Sequence, residues 1–365
     1  MTGRAAPAGQ TDDPVAAAAL GALAEQLRTA AAARRPLQIA GGGSKAFLNP
    51  ARDETRLAMA AYAGILAYEP SELVIEARAG TRLDVVEQTL AAHGQMLACE
   101  PPRFGFASTL GGVVSAGLSG PARPYTGALR DHVLGVSVLD AEGRLLHFGG
   151  RVMKNVAGYD VSRLVTGAWG ALGPIAGVAL RVAPLPEAVV SVAWSLDAAA
   201  AVTRMTALAR TAWPVNGACV DDGLLRVRLA GSRPAVEEAV HALRPDAVEN
   251  ELSYWQGLRD HRLPFFADPA PLWRLSLPPA TPPLDLPGRT LIDWGGAQRW
   301  LKTDAPAALL HAAAGAAGGH AQPFFAAVDD EFAPLSAPQR ALQMRIKAAF
   351  DPLGLFNAGS ARAGV

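Results

Sequence analysis

"PLQIAGGGSK", residues 36–45, is the stretch on which the fold turns. A short apolar segment suited to a strand runs straight into Gly41, Gly42, Gly43, Ser44 and Lys45. Consecutive glycines let the backbone take positive φ, and a backbone curled in that way aims several N–H groups at one point, a nest for phosphate oxygens. Lys45 would add a charge there and Ser44 a hydroxyl. Neither common phosphate loop fits. The P-loop spacing G-x-x-x-x-G-K-[ST] is absent, and the dinucleotide fingerprint G-x-G-x-x-G must open a helix, which Leu48, Asn49 and Pro50 interrupt. Taken alone, the stretch is also compatible with a plain flexible strand end.

The flanks place it in an alternating chain. Residues 1–14 are small and polar and read as a flexible tail. "DPVAAAALGALAEQLRTAAAARR" predicts a helix capped by Asp13, with Pro14 in its first turn and Arg34 and Arg35 at its C-terminus. "SELVIEARAG", "TRLDVVEQTLAAHG" and "QMLAC" predict strand, helix opened by Thr81, and strand, a βαβ-like alternation. "HVLGVSVLDAEGRLLHFGG" predicts a hairpin around "DAEG". From about residue 190 glycine clusters thin out, and 279–289 is a Pro-rich loop. The end, "APQRALQMRIKAAFDPLGLFNAG", predicts a helix stopped at Asp351 and Pro352. No internal repeat is visible.

Composition narrows the function classes. With 365 residues, half of them hydrophobic, the chain can build two domains. Lys plus Arg and Asp plus Glu both number 33, a balance that does not favour nucleic acid or an anionic membrane surface as partner. Cys99 and Cys219 are far apart and no C-x-x-C occurs, so a zinc or iron–sulfur site held by this chain alone is not expected, and no metal is assigned. No apolar run suits a secretory signal or a membrane span. A cytoplasmic protein without direct membrane insertion is expected.

Two further glycine-dense loops lie in the same half. In "ASTLGGVVSAGLSGPARPYTGALRD", 107–131, Ser108, Thr109, Leu110, Gly111, Gly112 and Ser115 form a small-residue run. Arg123, Tyr125, Arg130 and Asp131 follow it. "TGAWGALGPIAG", 166–177, holds Gly170, Gly173 and Ile175 before an apolar strand. Between them "RVMKNVAGYD", 151–160, packs Lys154, Asn155, Tyr159 and Asp160 around Gly158. Small side chains let backbone approach a ligand closely. Three such loops point to a long ligand with a charged middle and flat ends, such as a dinucleotide.

These motifs resemble the FAD-binding domain of the vanillyl-alcohol-oxidase, or PCMH-type, superfamily. "GGGSK" stands where that family has its pyrophosphate loop, and "STLGG" looks like its second flavin loop. "KNVAGYDVSRLVTGAWGALGPIAGVALRV" is similar to its Asn-x-x-Gly-Tyr-Asp segment with the glycines that follow, and "FDPLGLFNAG", 350–359, to its closing segment with Asn357. The combination of "GPARPYTGALRDHVLG" with "FGGRVMKNVAGYDVSRL" looks closest to the FAD-binding (E) subunits of bacterial glycolate oxidase. The resemblance covers most of 36–187 and the tail. It implies an α+β fold: a two-lobed PCMH-type FAD-binding domain over 15–187, a smaller α+β cap over 188–340, and a segment, 341–365, returning to the first domain. It implies FAD as cofactor, held by Gly41, Gly42, Gly43, Ser44, Lys45, Ser108, Thr109, Leu110, Gly111, Gly112, Ser115, Gly158, Asp160, Gly170, Gly173, Ile175 and Asn357. Lys154, Arg130 and Arg123 become candidate catalytic cations for the charge on a reduced flavin. Read as bare residues, Lys154 is equally a solvated lysine and Arg130–Asp131 a structural salt bridge.

Three departures qualify the resemblance. Pro174 removes a backbone donor. No Arg-Ser-Gly-Gly-His occurs at the first loop, so FAD is expected to be non-covalent. The seven histidines (His93, His132, His147, His241, His261, His311 and His320) form no His-x-His cluster of the kind that larger hydroxy-acid-oxidising relatives carry. The resemblance thus implies a subunit of a glycolate oxidase or dehydrogenase complex. Its expected partners are a larger FAD-binding subunit and an iron–sulfur subunit, which would place it in the cytoplasm, at the inner face of the membrane if its partners are there. A self-sufficient FAD-dependent 2-hydroxy-acid dehydrogenase and a non-redox scaffold that keeps the fold stay open. The stretch "YWQGLRDHRLPFF", 254–266, reads either as core of the cap or as a docking surface for the larger subunit.

Overall fold

The computed structural model describes residues 13–49, 55–150, 160–250, 252–325 and 331–357. The chain divides into two compact units, one of Met1–Leu118, Ala128–Pro184 and Leu335–Val365 and one of Ser119–Gly127 and Leu185–Pro334. Residues 119–127, inside the first domain on the sequence reading, cluster with the second unit.

In the first unit the helix Pro14–Ala33 begins where Asp13 accepts hydrogen bonds from Val15 N and Ala16 N. It ends on Arg34 in the left-handed region, φ 49°. Its stripe Leu23, Leu27 and Ala30, at helical spacing, is buried against Leu37, Leu57 and Phe356. Leu37–Ala40 and Thr55–Ala58 form a parallel pair in the register Leu37↔Thr55. Phe356 bridges Leu37 on the other side.

A five-stranded antiparallel sheet follows, in the order Ile65–Glu69, Val74–Arg78, Ile175–Arg181, Val133–Leu139 and Leu145–Gly149. The last two are the expected hairpin, closed at Leu139↔Leu145. The βαβ expectation does not hold. Gln95–Met96 pairs with Ala183–Pro184 rather than with Val74–Arg78. Thr81 does not cap the helix Leu83–Ala91, whose N-cap is Arg82. Its hydroxyl instead accepts from Gly64 N and donates to Gly64 O, at 2.9 and 3.1 Å. Leu83, Val86 and Leu90 of that helix pack with Leu110, Val113 and Val114 of the helix Leu110–Ala116 and with the sheet residues Ile75, Val136 and Val178.

The second unit is built on one eight-stranded antiparallel sheet. Its order is Ala247–Glu249, Ala188–Ser195, Leu224–Gly231, Val215–Asp221, Arg289–Asp293, Gln298–Lys302, Leu272–Ser276, His320–Pro323. The first four strands, with the helices Ala198–Leu208 and Arg233–Leu243 as crossovers, follow a β-α-β-β-α-β path with spatial order 4-1-3-2. The second four repeat that order in mirror sequence across Val220↔Ile292, keeping the crossover helix Ala307–Ala316 but running a Pro-rich loop through 278–288 in place of the other.

One face carries Val192, Val227 and Leu229 against the helices; the alternate residues face the other way. On that second face Trp255 is 2% exposed and donates its Nε1–H to Ser191 Oγ at 2.7 Å. Phe265 is 1% exposed, and the Arg228 guanidinium sits 5.1 Å from the Trp255 ring centre. The anchoring residues of "YWQGLRDHRLPFF" therefore build core, and Trp255 cannot serve in a docking surface.

Candidate functional site

The strand Leu37–Ala40 delivers the glycines to their loop. Gly43 takes φ +76°, and a turn closes as Ala46 N donates to Gly43 O at 3.0 Å. Among the described residues the N–H groups of Gly42, Gly43 and Ser44 donate to no protein acceptor. Three successive donors left by one turn are what an anion with several oxygens would satisfy.

The second loop packs directly on the first. A Cβ at Gly41 would strike Thr109 Oγ1, and one at Gly42 would overlap the Ala107 carbonyl. These two glycines are required by the protein's own packing, whatever ligand approaches. Thr109 caps the helix Leu110–Ala116, accepting from Gly112 N at 3.4 Å. Lys45 Nζ lies 3.3 Å from both Ser44 Oγ and Ser108 Oγ, and 5.8 Å from the Phe104 ring centre.

The third loop joins through the C-terminal segment. Asn357 Oδ1 accepts from Ile39 N at 2.7 Å, and its Nδ2 donates to Trp169 O at 2.5 Å. Trp169 N in turn donates to Ser115 O at 2.9 Å. Gly170, at φ +79°, leaves no room for a Cβ beside Asn357 Nδ2, 2.6 Å away. One side chain thus ties the first strand, the third loop and the chain end together.

These loops enclose a cavity of about 170 Å³. Gly41, Gly42, Gly43, Ser44, Lys45, Thr109, Gly112, Ser115 and Asn357 line it, and Ser108 touches it through Lys45. Sequence reasoning missed Gln38, Ile39, Asn49, Arg56 and Trp169, which also line it. Arg56 arrives from the parallel partner strand and donates to Gly41 O at 3.4 Å. Among the described residues the lining holds two cations, Lys45 and Arg56, and no carboxylate, histidine, cysteine or tyrosine. Its electrostatics suit an anionic ligand.

Other expected site residues lie elsewhere. Leu110 is core, and Gly111 packs on Ala79 with its N–H spent on Ala79 O at 2.8 Å. Gly173 abuts Val138, and Ile175 is buried in the strand it opens. Asp160 caps the helix Val161–Val165 and pairs with Arg163 at 3.3 Å. Arg130 is exposed on a short helix, and Asp131 beside it caps the start of that helix by accepting from Ala128 N at 2.9 Å. Arg123 belongs to the second unit, 4.4 Å from the Trp294 ring centre. Lys154 and Gly158, with Asn155 and Tyr159, lie outside the described residues. Among the described residues no group of His, Cys, Asp and Glu is arranged to hold a metal, and no helix is long and apolar enough to cross a membrane.

Comparison with known proteins supplies the family. A model of an FAD binding domain matches residues 15–149. Glycolate oxidase subunit GlcE of Escherichia coli (strain K12) is 44% identical over 338 residues, which cover 93% of this chain and 96% of that protein. Glycolate oxidase subunit GlcD of Bacillus subtilis (strain 168) is 38% identical over 80 residues, 22% of this chain and 17% of that one. Among solved structures, alkyldihydroxyacetonephosphate synthase aligns with a TM-score of 0.65 over 92% of this chain and 74% of its own, at 14% identity, a likeness of fold.

Proposed function

The chain belongs to the family of glycolate oxidase subunit GlcE, an FAD-binding oxidoreductase family, and from that premise we propose that it is the FAD-carrying subunit of a glycolate oxidase, acting with partner subunits in the oxidation of glycolate to glyoxylate. The observation that carries the cofactor reading is the run of N–H groups at Gly42, Gly43 and Ser44 without acceptors among the described residues, at a cavity whose described charged residues are both cations. Those donors would hold the pyrophosphate, with Lys45 and Arg56 offsetting its charge. Thr109, Gly112 and Ser115 form the opposing wall, and Ile39 and Trp169 offer apolar surface to a flat group. Bound FAD would supply the acceptor for a hydride, and with it two electrons, from a hydroxy acid.

FAD is held non-covalently in this reading: no Arg-Ser-Gly-Gly-His stands at the first loop, and among the described residues the lining contains no histidine, cysteine or tyrosine to form a link. The partners are a larger subunit related to GlcD and an iron–sulfur subunit, and the chain works in the cytoplasm, reaching the membrane only through them. Two buried, separated cysteines, with Cys99 pushed up to about 12 by burial, make poor cluster ligands, so single-electron transfer falls to a partner. Lys154, Arg130 and Arg123 stay the candidate cations toward substrate or reduced cofactor.

Purification of the chain and acid precipitation test this reading. A yellow protein with about one FAD per chain, whose colour passes into the acid supernatant, is expected. A colourless chain that takes up no FAD on addition overturns the cofactor assignment, and colour retained in the pellet overturns the non-covalent one.

A further inference from the structure

The second unit holds a cavity of about 190 Å³ on the helix-bearing face of its sheet, at the place where the second set of four strands has a Pro-rich loop instead of a helix. Leu275, Leu284, Leu286, Ile292 and Leu301 form apolar walls, and Arg299 lies among them. Arg299 pairs across the sheet with Leu275 and Ile292, so its side chain shares their face. It is 2% exposed. Its Nε donates to Gly296 O at 3.1 Å and its Nη2 to Thr281 O at 2.5 Å.

Among the described residues no carboxylate stands within ion-pair distance of this guanidinium. Asp222, at the cavity's rim on a strand turn, is exposed and does not pair with it. Burial lowers Arg299 to about 10, which leaves it charged at neutral pH. A charge taken out of water needs a counter-charge as well as hydrogen bonds, and two neutral carbonyls satisfy only the second need. An apolar enclosure with one buried cation lacks one thing, an anion attached to an apolar body.

We propose that this cavity binds a small amphipathic monocarboxylate, its carboxylate on Arg299 and its apolar part between Leu275, Leu284, Leu286 and Leu301. An apolar cavity of ~150 Å³ accommodates benzene, so this one suits a six-carbon ring or short chain. The site lies wholly in the second unit and does not depend on the FAD reading. The alternative is that Arg299 only clamps the Pro-rich loop through Thr281 and Gly296.

Calorimetry on the full chain separates the two, with benzoate as probe and benzyl alcohol as its neutral match in size. Benzoate is expected to bind saturably at one equivalent, about tenfold or more tighter than benzyl alcohol, the worth of a hydrogen bond to a charged group. Arg299→Met should reduce benzoate to the level of the alcohol. Leu286→Trp, which fills the cavity, should abolish binding of both while the FAD content stays unchanged. Equal affinity of the two probes for the parent chain, no saturable benzoate binding at millimolar concentration, or an undiminished preference in Arg299→Met each overturns the proposal. If Arg299→Met does not fold, the probe pair on the parent chain and on Leu286→Trp decides.

Discussion

Gly42 and Gly43 are neighbours that should fail for different reasons. A Cβ at Gly42 overlaps the Ala107 carbonyl, so Gly42→Ala must push two loops apart, at about 2 kcal/mol. A Cβ at Gly43 would meet only the Arg56 guanidinium, in ordinary contact at 3.9 Å, but φ is +76°, and Gly43→Ala costs about 1 kcal/mol of backbone strain. Denaturant unfolding should rank Gly42→Ala below Gly43→Ala and both below the parent; a parental midpoint for Gly42→Ala removes the loop–loop account. The glycines themselves were legible because local composition announces a curled backbone. The reason for Gly42 was not, since Ala107 lies 65 positions away in sequence. Arg56 and Trp169 escaped for a related cause: Arg56 stands in no motif and strand pairing brings it in, while Trp169 stands in the third glycine loop but its ties run to Ser115 and Asn357, far off in sequence. His261 offers a pH test. Burial foremost, with Lys302 and Arg274 nearby and Asp260 opposing, lowers it to about 3, beneath its ordinary 6.5. The unfolded chain then takes up a proton that the folded one refuses, so the contribution is complete above pH 6.5 and is lost as pH falls toward about 3. The slope reaches at most ~1.4 kcal/mol per pH unit. His261→Phe, in a site where the imidazole stacks on Phe266 at 4.0 Å, should flatten the fall in unfolding free energy between pH 6.5 and 5. An unchanged slope there refutes the burial of a neutral imidazole.

Elements whose signals are local were legible, and elements defined by their partners were not. Asp13 and Pro14 mark a helix start that chain chemistry alone dictates, and the hairpin around Asp140–Gly143 needs only its own turn. The strand–helix–strand run from 72 to 99 looked like βαβ because alternation says nothing about which strand pairs with which. The terminal helix Ala337–Phe350 shows what such long-range ties add. Lys347 Nζ donates to Ala171 O at 2.8 Å, Asp351 Oδ2 at 2.6 Å and Phe356 O at 2.8 Å. The Asp351 carboxylate is fully buried and also accepts from Leu355 N and Phe356 N. Removing the ammonium leaves a buried carboxylate without its cation, a loss of about 3–5 kcal/mol. Lys347→Met should therefore lower the unfolding midpoint far more than Arg28→Met, whose partner Glu25 is 70% exposed. Because Asn357 follows this turn and holds Ile39 and Trp169, Lys347→Met should also reduce FAD content. Equal effects of the two substitutions sink the claim that this turn anchors the site.

At the scale of the molecule, the second unit repeats one strand order twice although no repeat is visible in its residues. The repetition lies in topology: alternating apolar residues satisfy the same sheet with unrelated side chains, and a Pro-rich loop replaces one helix. The same limit governs function, because what the chain does depends on what it must obtain from outside itself. Oxidising a 2-hydroxy acid needs a cation on the carboxylate, a base for the hydroxyl proton, and the reacting carbon held against the electron acceptor. The first unit's cavity carries two cations, which suit the dinucleotide proposed for it, and among the described residues its lining contains no histidine or carboxylate to act as base. Among the described residues no His, Cys, Asp and Glu group stands ready for a metal, and both cysteines are buried with their thiols held protonated by burial. On the proposed reading the chain holds the cofactor, and its partners complete turnover and carry electrons away singly. Glycolate-dependent dye reduction should therefore be weak for the isolated chain, weak for the larger flavin subunit and iron–sulfur subunit without it, and restored when all are combined. Gly42→Ala, added to those partners, should restore less activity, in proportion to its FAD content. Robust turnover by the isolated chain would make it a self-sufficient dehydrogenase, and full activity of the partners without it would make it a scaffold.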